Sequence, residues 1–287
     1  MKGKALAFGA GTVVNAIATG LGAAFGLALW TKAEVSLLNE PGFFEGKVLN
    51  DSSENTNLIC TTVRHVLKHF SLEQEYGARV ITDSTIPISR GLKSSSVAAN
   101  AVALATVEAL KKDLDDLNII RLGVDAALEA GVTITGAFDD ACASYFGGFV
   151  VTDNFKKILI KRKQIEENLA VMLHVPVKKS RTIESNIKRI KAMKNYVEYV
   201  FNIALNGDYK TAITLNGLIY SAALGFGTEA TVSALEAGAV SAGLTGTGPA
   251  TIALCSRDIC SDIEASWLEL EGEIIRTEFN NERAKLI

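Results

Sequence analysis

From Ala5 to Thr31 the chain carries no charged side chain. A run of that length has to leave water, either inside a protein or across a bilayer. Its composition argues against the bilayer: "ALAFGAGTVVNAIATGLGAAFGLALW" holds five glycines together with Thr12, Asn15 and Thr19. It also has no continuous Leu/Ile/Phe block of the kind that a spanning helix or the apolar centre of a signal peptide needs. It divides instead into short β-like pieces, "KALAF", "TVVNAIA" and "AFGLALW", with turns expected at Gly9 to Gly11 and at Gly20 to Gly22. Buried strands are the expectation, and no membrane partner.

The rest of the chain alternates irregularly between helical and strand-like segments, without repeats or low-complexity tracts, which makes the class α+β. Helices are expected at about Asn57 to Phe70, Ser95 to Leu110, Asp116 to Ala130, Thr182 to Leu205, Tyr209 to Ala223 and Thr228 to Ala242. Strands are expected at Ala78 to Thr85 and in "NLAVMLHVPV", and "GVTITGAFDDACASYFGGFVV" reads as turn-rich and then strand-like. With 287 residues the chain can bury a sizeable core or two packed halves. Composition shifts at the basic stretch "KKILIKRKQIEE", where a division into residues 1–155 and 156–287 is expected.

A net charge of −3 provides no global attraction for phosphate backbones, so nucleic acid is not an expected partner. Cys60, Cys142, Cys255 and Cys260 form no C-x-x-C pair and read as small apolar residues of a reducing, cytoplasmic compartment. His65 and His69 have metal-ligand spacing, but "HVLKH" lacks the glutamate of the zinc-protease motif and no third ligand is signalled. The lysines and arginines of "KKSRTIESNIKRIKAMKNY" lie opposite Ile183, Ile187, Ile190 and Met193, the pattern of a solvated amphipathic helix.

The chemistry concentrates in three loops. In "PISRGLKSSSVAANAVALA" a proline, a glycine, a lysine and three serines precede a run of small apolar residues. A Walker A loop is excluded on spacing, because the glycine positions of that motif hold Pro87 and Leu92. The underlying physics still applies: a helix starting at Ser94 or Ser95 presents unpaired N–H groups and a partial positive charge to the loop. One serine would suffice as an N-cap; three, with Gly91 and Lys93, favour anion binding. A second Gly-rich turn, "GLTGTGPA" from Gly243 to Ala250, can fold over a nucleotide or form an ordinary turn. In "TGAFDDACAS", Asp139 and Asp140 either cap the next helix or supply the carboxylate that phosphoryl transfer uses to orient or deprotonate an attacking hydroxyl. Glu129, just upstream, is available for Mg²⁺.

Together these loops resemble the GHMP kinase superfamily. "PISRGLKSSSVAA" is similar to its P-x-x-x-G-L-G-S-S motif at Pro87, Gly91, Leu92, Ser94 and Ser95, with Lys93 in place of a glycine. "GTVVNAIATG" resembles its first motif and "LTGTGPA" its last. Glu129 stands eleven residues before Asp140, which is followed by Ser144 and by Gly147-Gly148, a spacing similar to that of mevalonate kinases. Over nearly the whole chain the likeness is closer to the archaeal-type shikimate kinases, through "GAGTVVNAIATG", "SRGLKSSSVAANAVALA" and "TGAFDDACASYFGG".

The resemblance implies a two-lobed α+β fold with the nucleotide site between the lobes, and transfer of the γ-phosphoryl group of ATP to the 3-hydroxyl of shikimate. It implies that Pro87, Ser89, Arg90, Gly91, Leu92, Lys93, Ser94, Ser95 and Ser96 hold the triphosphate, and that Gly246, Thr247 and Gly248 close over the nucleotide. Ser95 and Glu129 would hold Mg²⁺, Lys93 would neutralise phosphate charge, and Asp140, with Asp139 as the alternative, would act on the hydroxyl. A carboxylate-bearing acceptor needs a cationic clamp, for which Arg90, Lys32 and Arg64 are unranked candidates. Homoserine or mevalonate as acceptor, and a catalytically silent sensor on the same fold, are the competing readings.

Overall fold

The computed structural model describes residues 1–88, 91–177 and 186–287. The uncharged N-terminal run forms the middle of a seven-stranded sheet, as β1 (Lys2–Val14) and β2 (Leu21–Leu38). β2 is long enough to serve two neighbours along one edge, pairing Leu21–Phe25 with β5 (Phe149–Asp153) and Thr31–Leu38 with β4 (Gly77–Ser84). β3 (Phe44–Val48) runs parallel to β4, β6 (Ile158–Lys163) pairs with β5, and the short β11 (Lys285–Leu286) returns from the C-terminus to β1.

The turn expected at Gly9 to Gly11 does not form; β1 runs through it with a register shift between Phe8 and Gly9. These glycines answer to packing, since a Cβ on Gly11 would stand 2.7 Å from the Phe25 ring and 2.9 Å from Ile252. The strand ends at Val14, one residue before Asn15, whose side chain accepts from the Ile17 N–H.

Against this sheet lie α1 (Asn57–His69), α2 (Ser94–Leu110) and α4 (Phe138–Phe146), and α3 (Asp116–Glu129) packs on those three helices. α2 is buried nearly all round, which its small side chains permit and its lack of an apolar stripe requires. α4 replaces the expected turn-rich segment; all nine of its residues are buried, so no polar face marks it as helical in the sequence.

A second, four-stranded antiparallel sheet has the order β10 (Glu273–Glu278), β7 (Ala170–Val175), β9 (Thr251–Cys255), β8 (Ser241–Leu244). Its helices are α5 (Ile187–Ala192), α6 (Lys194–Leu205), α7 (Tyr209–Leu224), α8 (Glu229–Glu236) and α9 (Cys260–Trp267). The helix expected from Thr182 is interrupted at Met193, and residues 182–185 lie outside the described set. The helix expected to reach Ala242 stops at Glu236, because Gly238 turns the backbone at φ +99° and Ser241 already belongs to β8. The division expected at 155/156 falls in the turn between β5 and β6. Composition shifts there because β6 is an exposed strand of the first sheet; the second sheet starts only at Ala170.

All four cysteines are buried as free thiols. Among the described residues no helix is long and apolar enough to cross a membrane.

Candidate active site

α2 begins without a conventional cap. Lys93, the residue before it, sits at φ +65°, ψ +21° and makes no side-chain capping bond, so the first-turn N–H groups of the serines face outward from a left-handed corner. That backbone region normally selects glycine. The departure from the family motif therefore places a lysine at a position whose geometry accounts for the usual glycine. Gly91, two residues earlier, has φ +89°, and a Cβ there would stand 2.5 Å from the Thr245 carbonyl. The serine-rich loop and the turn between β8 and β9 thus touch backbone to backbone.

The second loop is in turn fastened to β1. Thr12 N–H donates to Thr245 Oγ1 at 3.1 Å, Gly246 N–H donates to Thr12 Oγ1 at 3.0 Å, and Asn15 Nδ2 donates to the Gly246 carbonyl at 2.9 Å. This turn joins two strands, not a helix and a strand, and the reciprocal threonine bonds were not legible from its glycines.

Replacing Gly91 with alanine is expected to lower the melting temperature and to weaken the binding of a polyphosphate ligand by roughly tenfold, the cost of a left-handed L-residue plus the displaced carbonyl. Unchanged binding in a calorimetric titration would show that the interlock does not set the loop.

Where the two loops meet, Gly91, Lys93, Ser94, Ser95, Ser96, Gly246 and Thr247 line one cavity of about 370 Å³ with Asp139 and Asp140. The aspartates occupy the first turn of α4, where the helix dipole favours negative charge. Lys93 Nζ lies 3.1 Å from Asp140 Oδ2, and the two side chains are each only 9% exposed. Asp140 Oδ1 is buried without a partner. Burial, with the neighbouring Asp139 charge adding to it, raises the Asp140 carboxyl to about 7 although Lys93 opposes the shift. Asp139 is also raised, by burial, against Lys93 and the Asn154 amide.

Other expected residues are placed elsewhere. Leu92 is a core residue at 1% exposure. Pro87 lines a neighbouring cavity, and Gly248 packs against the Phe226 ring. Ser89 and Arg90 lie outside the described residues. Glu129 is not brought to the cleft: its carboxylate is 59% exposed and bonds His65 Nε2 at 2.7 Å. On α3 the buried positions are Ile119, Ile120, Gly123, Val124, Ala126 and Ala127, and Glu129 lies more than a right angle round the helix from the centre of that stripe, a signal the sequence did contain. Lys32 lies over the Trp30 ring and Arg64 over the Phe44 ring. Neither lines the cavity, where Lys93 is the cation among the described residues.

The arrangement combines a polyanion cradle, a buried ammonium and a carboxylate whose proton affinity lies near neutrality. Such a site can hold a phosphorylated donor and accept a proton from a hydroxyl beside it.

Residues 57–148 match the GHMP kinases N terminal domain. The chain is 46% identical to a shikimate kinase of Methanosarcina acetivorans, over 99% of this chain and 96% of the relative. It is 47% identical to a shikimate kinase of Methanothrix thermoacetophila, over 100% and 96%. Among solved structures, the mevalonate kinase of Methanococcus jannaschii superposes with a TM-score of 0.75 at 15% identity, over 98% of each chain.

Proposed function

The chain belongs to the GHMP kinase superfamily and, within it, to the family of the archaeal shikimate kinases, and from that premise we propose that it phosphorylates the 3-hydroxyl of shikimate with ATP, giving shikimate 3-phosphate and ADP. The observation that carries the reading is the Lys93–Asp140 pair, set beneath an anion-binding helix start in the same cavity.

In this reading the first-turn amides and hydroxyls of Ser94 to Ser96 hold the triphosphate, and Gly246 and Thr247 cover it from the second sheet. Lys93 stands between the phosphates and Asp140. As the donor binds, its ammonium compensates phosphate charge, and Asp140 takes up the proton of the attacking hydroxyl as the oxygen–phosphorus bond forms and the β–γ bridge breaks. Mg²⁺ fits the hard hydroxyl donors here and needs only one or two protein oxygens beside those of the phosphates. Ser95, which lines the cavity, is the residue that would hold it, and when bound it neutralises charge developing on the bridging oxygens. The phosphate loop belongs to an N-terminal lobe and the Gly-rich turn to a C-terminal one, with β6 and β11 counted in the first.

The test is ADP release by the purified chain with ATP and Mg²⁺, with shikimate, homoserine and mevalonate as parallel acceptors. Turnover with shikimate alone is expected. Turnover with another acceptor would retain the chemistry and reject the substrate, and silence with all three despite ATP binding would favour a sensor.

A further inference from the structure

α4 carries both aspartates yet lacks an N-cap of its own. Ala137 holds the capping position at φ +50°, ψ +47°, with no side-chain bond. The vacancy is filled from 15 residues downstream by Asn154, which is 1% exposed. Its Oδ1 accepts from the Asp139 N–H at 3.2 Å and from Thr152 Oγ1 at 2.7 Å. Two donors on one oxygen fix the orientation of the amide, so Nδ2 must face an acceptor, and it donates to Asp139 Oδ1 at 2.7 Å. The backbone N–H of Asn154 is tied to the Gly20 carbonyl at 2.8 Å. On the other side of Asp139, Oδ2 rests against Gly22, where a Cβ would come within 2.5 Å.

One oxygen of Asp139 is thus bonded to the Asn154 amide and the other is packed against the Gly22 backbone. On Asp140, Oδ2 meets Lys93 and Oδ1 has no protein partner. We propose that Asn154 is a positioning residue for phosphoryl transfer: it caps α4 from outside and clamps Asp139, so that the same turn presents Asp140 to the reacting hydroxyl in one pose. The division of labour follows, with Asp139 as support and Asp140 as the reacting carboxylate. This rests on the kinase reading above.

Among the described residues, Lys93 faces the pair from the head of α2, Cys142 lies on α4 itself, and Tyr220 reaches it from α7. The Asn154 amide favours the ionised form of Asp139, and the Asp139 charge raises Asp140. Removing the amide therefore lets Asp139 hold its proton to higher pH, and Asp140 then ionises more readily.

The experiment is a pH profile of kcat, with KM for ATP and melting temperature, for full-length wild type, Asn154→Ala and Asn154→Asp. Asn154→Ala is expected to lower kcat by 10- to 100-fold, the order of loss for a misplaced catalytic group, with KM for ATP within about twofold. Its acid limb should move to lower pH. Asn154→Asp, nearly isosteric, loses the same donor but adds a carboxyl beside Asp139, and its limb should lie at higher pH than that of the alanine variant. That order is the signature; a loss of kcat with the limb unmoved in both variants would overturn the proposal. If the alanine variant does not fold, Asn154→Ser takes its place with the same direction expected. A wild type silent toward shikimate would fault the substrate assignment instead, and titration of the ¹³C-labelled aspartate carboxyls would still read the Asn154 effect.

Discussion

Asp140→Asn is expected to reduce kcat by roughly a thousandfold, within the range that a positioned general base contributes, while the Kd for ATP stays within about threefold. Asparagine keeps the shape of the side chain and an oxygen for Lys93, whose Nζ lies 3.1 Å from Oδ2. It cannot accept the hydroxyl proton. A single-turnover measurement with saturating ATP separates the two terms; a variant retaining more than about a tenth of wild-type turnover would remove Asp140 from proton transfer.

The same substitution has a consequence for stability with a defined sign. The Asp140 carboxyl rises from 3.8 in the unfolded reference to about 7 in the fold. The folded state therefore binds the proton more tightly, its contribution is fully present below pH 4, and it is lost as pH rises through 7. Wild type should melt at progressively lower temperature between about pH 4 and 7 and level off above, and Asp140→Asn should show a flatter dependence. A buried acid that costs stability at the pH where it works is what a functional site, not a structural one, is expected to contain.

Much of this site was legible because its chemistry is local. Lys93, the serines and α2 occupy one continuous stretch, so a helix start with its unpaired amides could be read directly from residue order. The paired aspartates were legible for the same reason. The spacing from Glu129 preferred Asp140 over Asp139, but the contact proposed here to divide their roles was not legible, because the position of Asn154 relative to α4 is set by the long-range antiparallel pairing of β5 with β2. Glu129 shows the converse error. Its eleven-residue separation from Asp140 matches a spacing, but spacing does not fix which face of α3 a side chain occupies, and here it bonds His65 at the surface. Gly9 and Gly11 misled for a related reason: glycine signals a turn or a close approach, and only the Phe25 and Ile252 side chains packed on Gly11 decide which. The fold class survived these local misreadings because the alternation of apolar segments reports layers, not contacts.

Lys93→Met gives the second large expected effect. Methionine matches the length of the lysine stem and removes only the charge, so the left-handed corner at φ +65° is strained as before and the comparison isolates electrostatics. Two losses should appear together. ATP affinity should weaken by at least tenfold, since the cavity loses the one cation that lines it among the described residues, a loss of the order expected for one charge-assisted contact. Turnover should also fall, and its acid limb should move to higher pH, because Lys93 is the influence that lowers the Asp140 carboxyl against burial and Asp139. Breaking a buried pair by deleting one partner costs about 3–5 kcal/mol when the remaining charge cannot be relieved. Here it can be relieved below neutrality by protonation, so the drop in melting temperature should be small at pH 6 and large at pH 8. An equal drop at both values would mean that Lys93 stabilises the loop by packing of its stem, and an unmoved acid limb would mean that the ammonium serves the phosphates without governing Asp140.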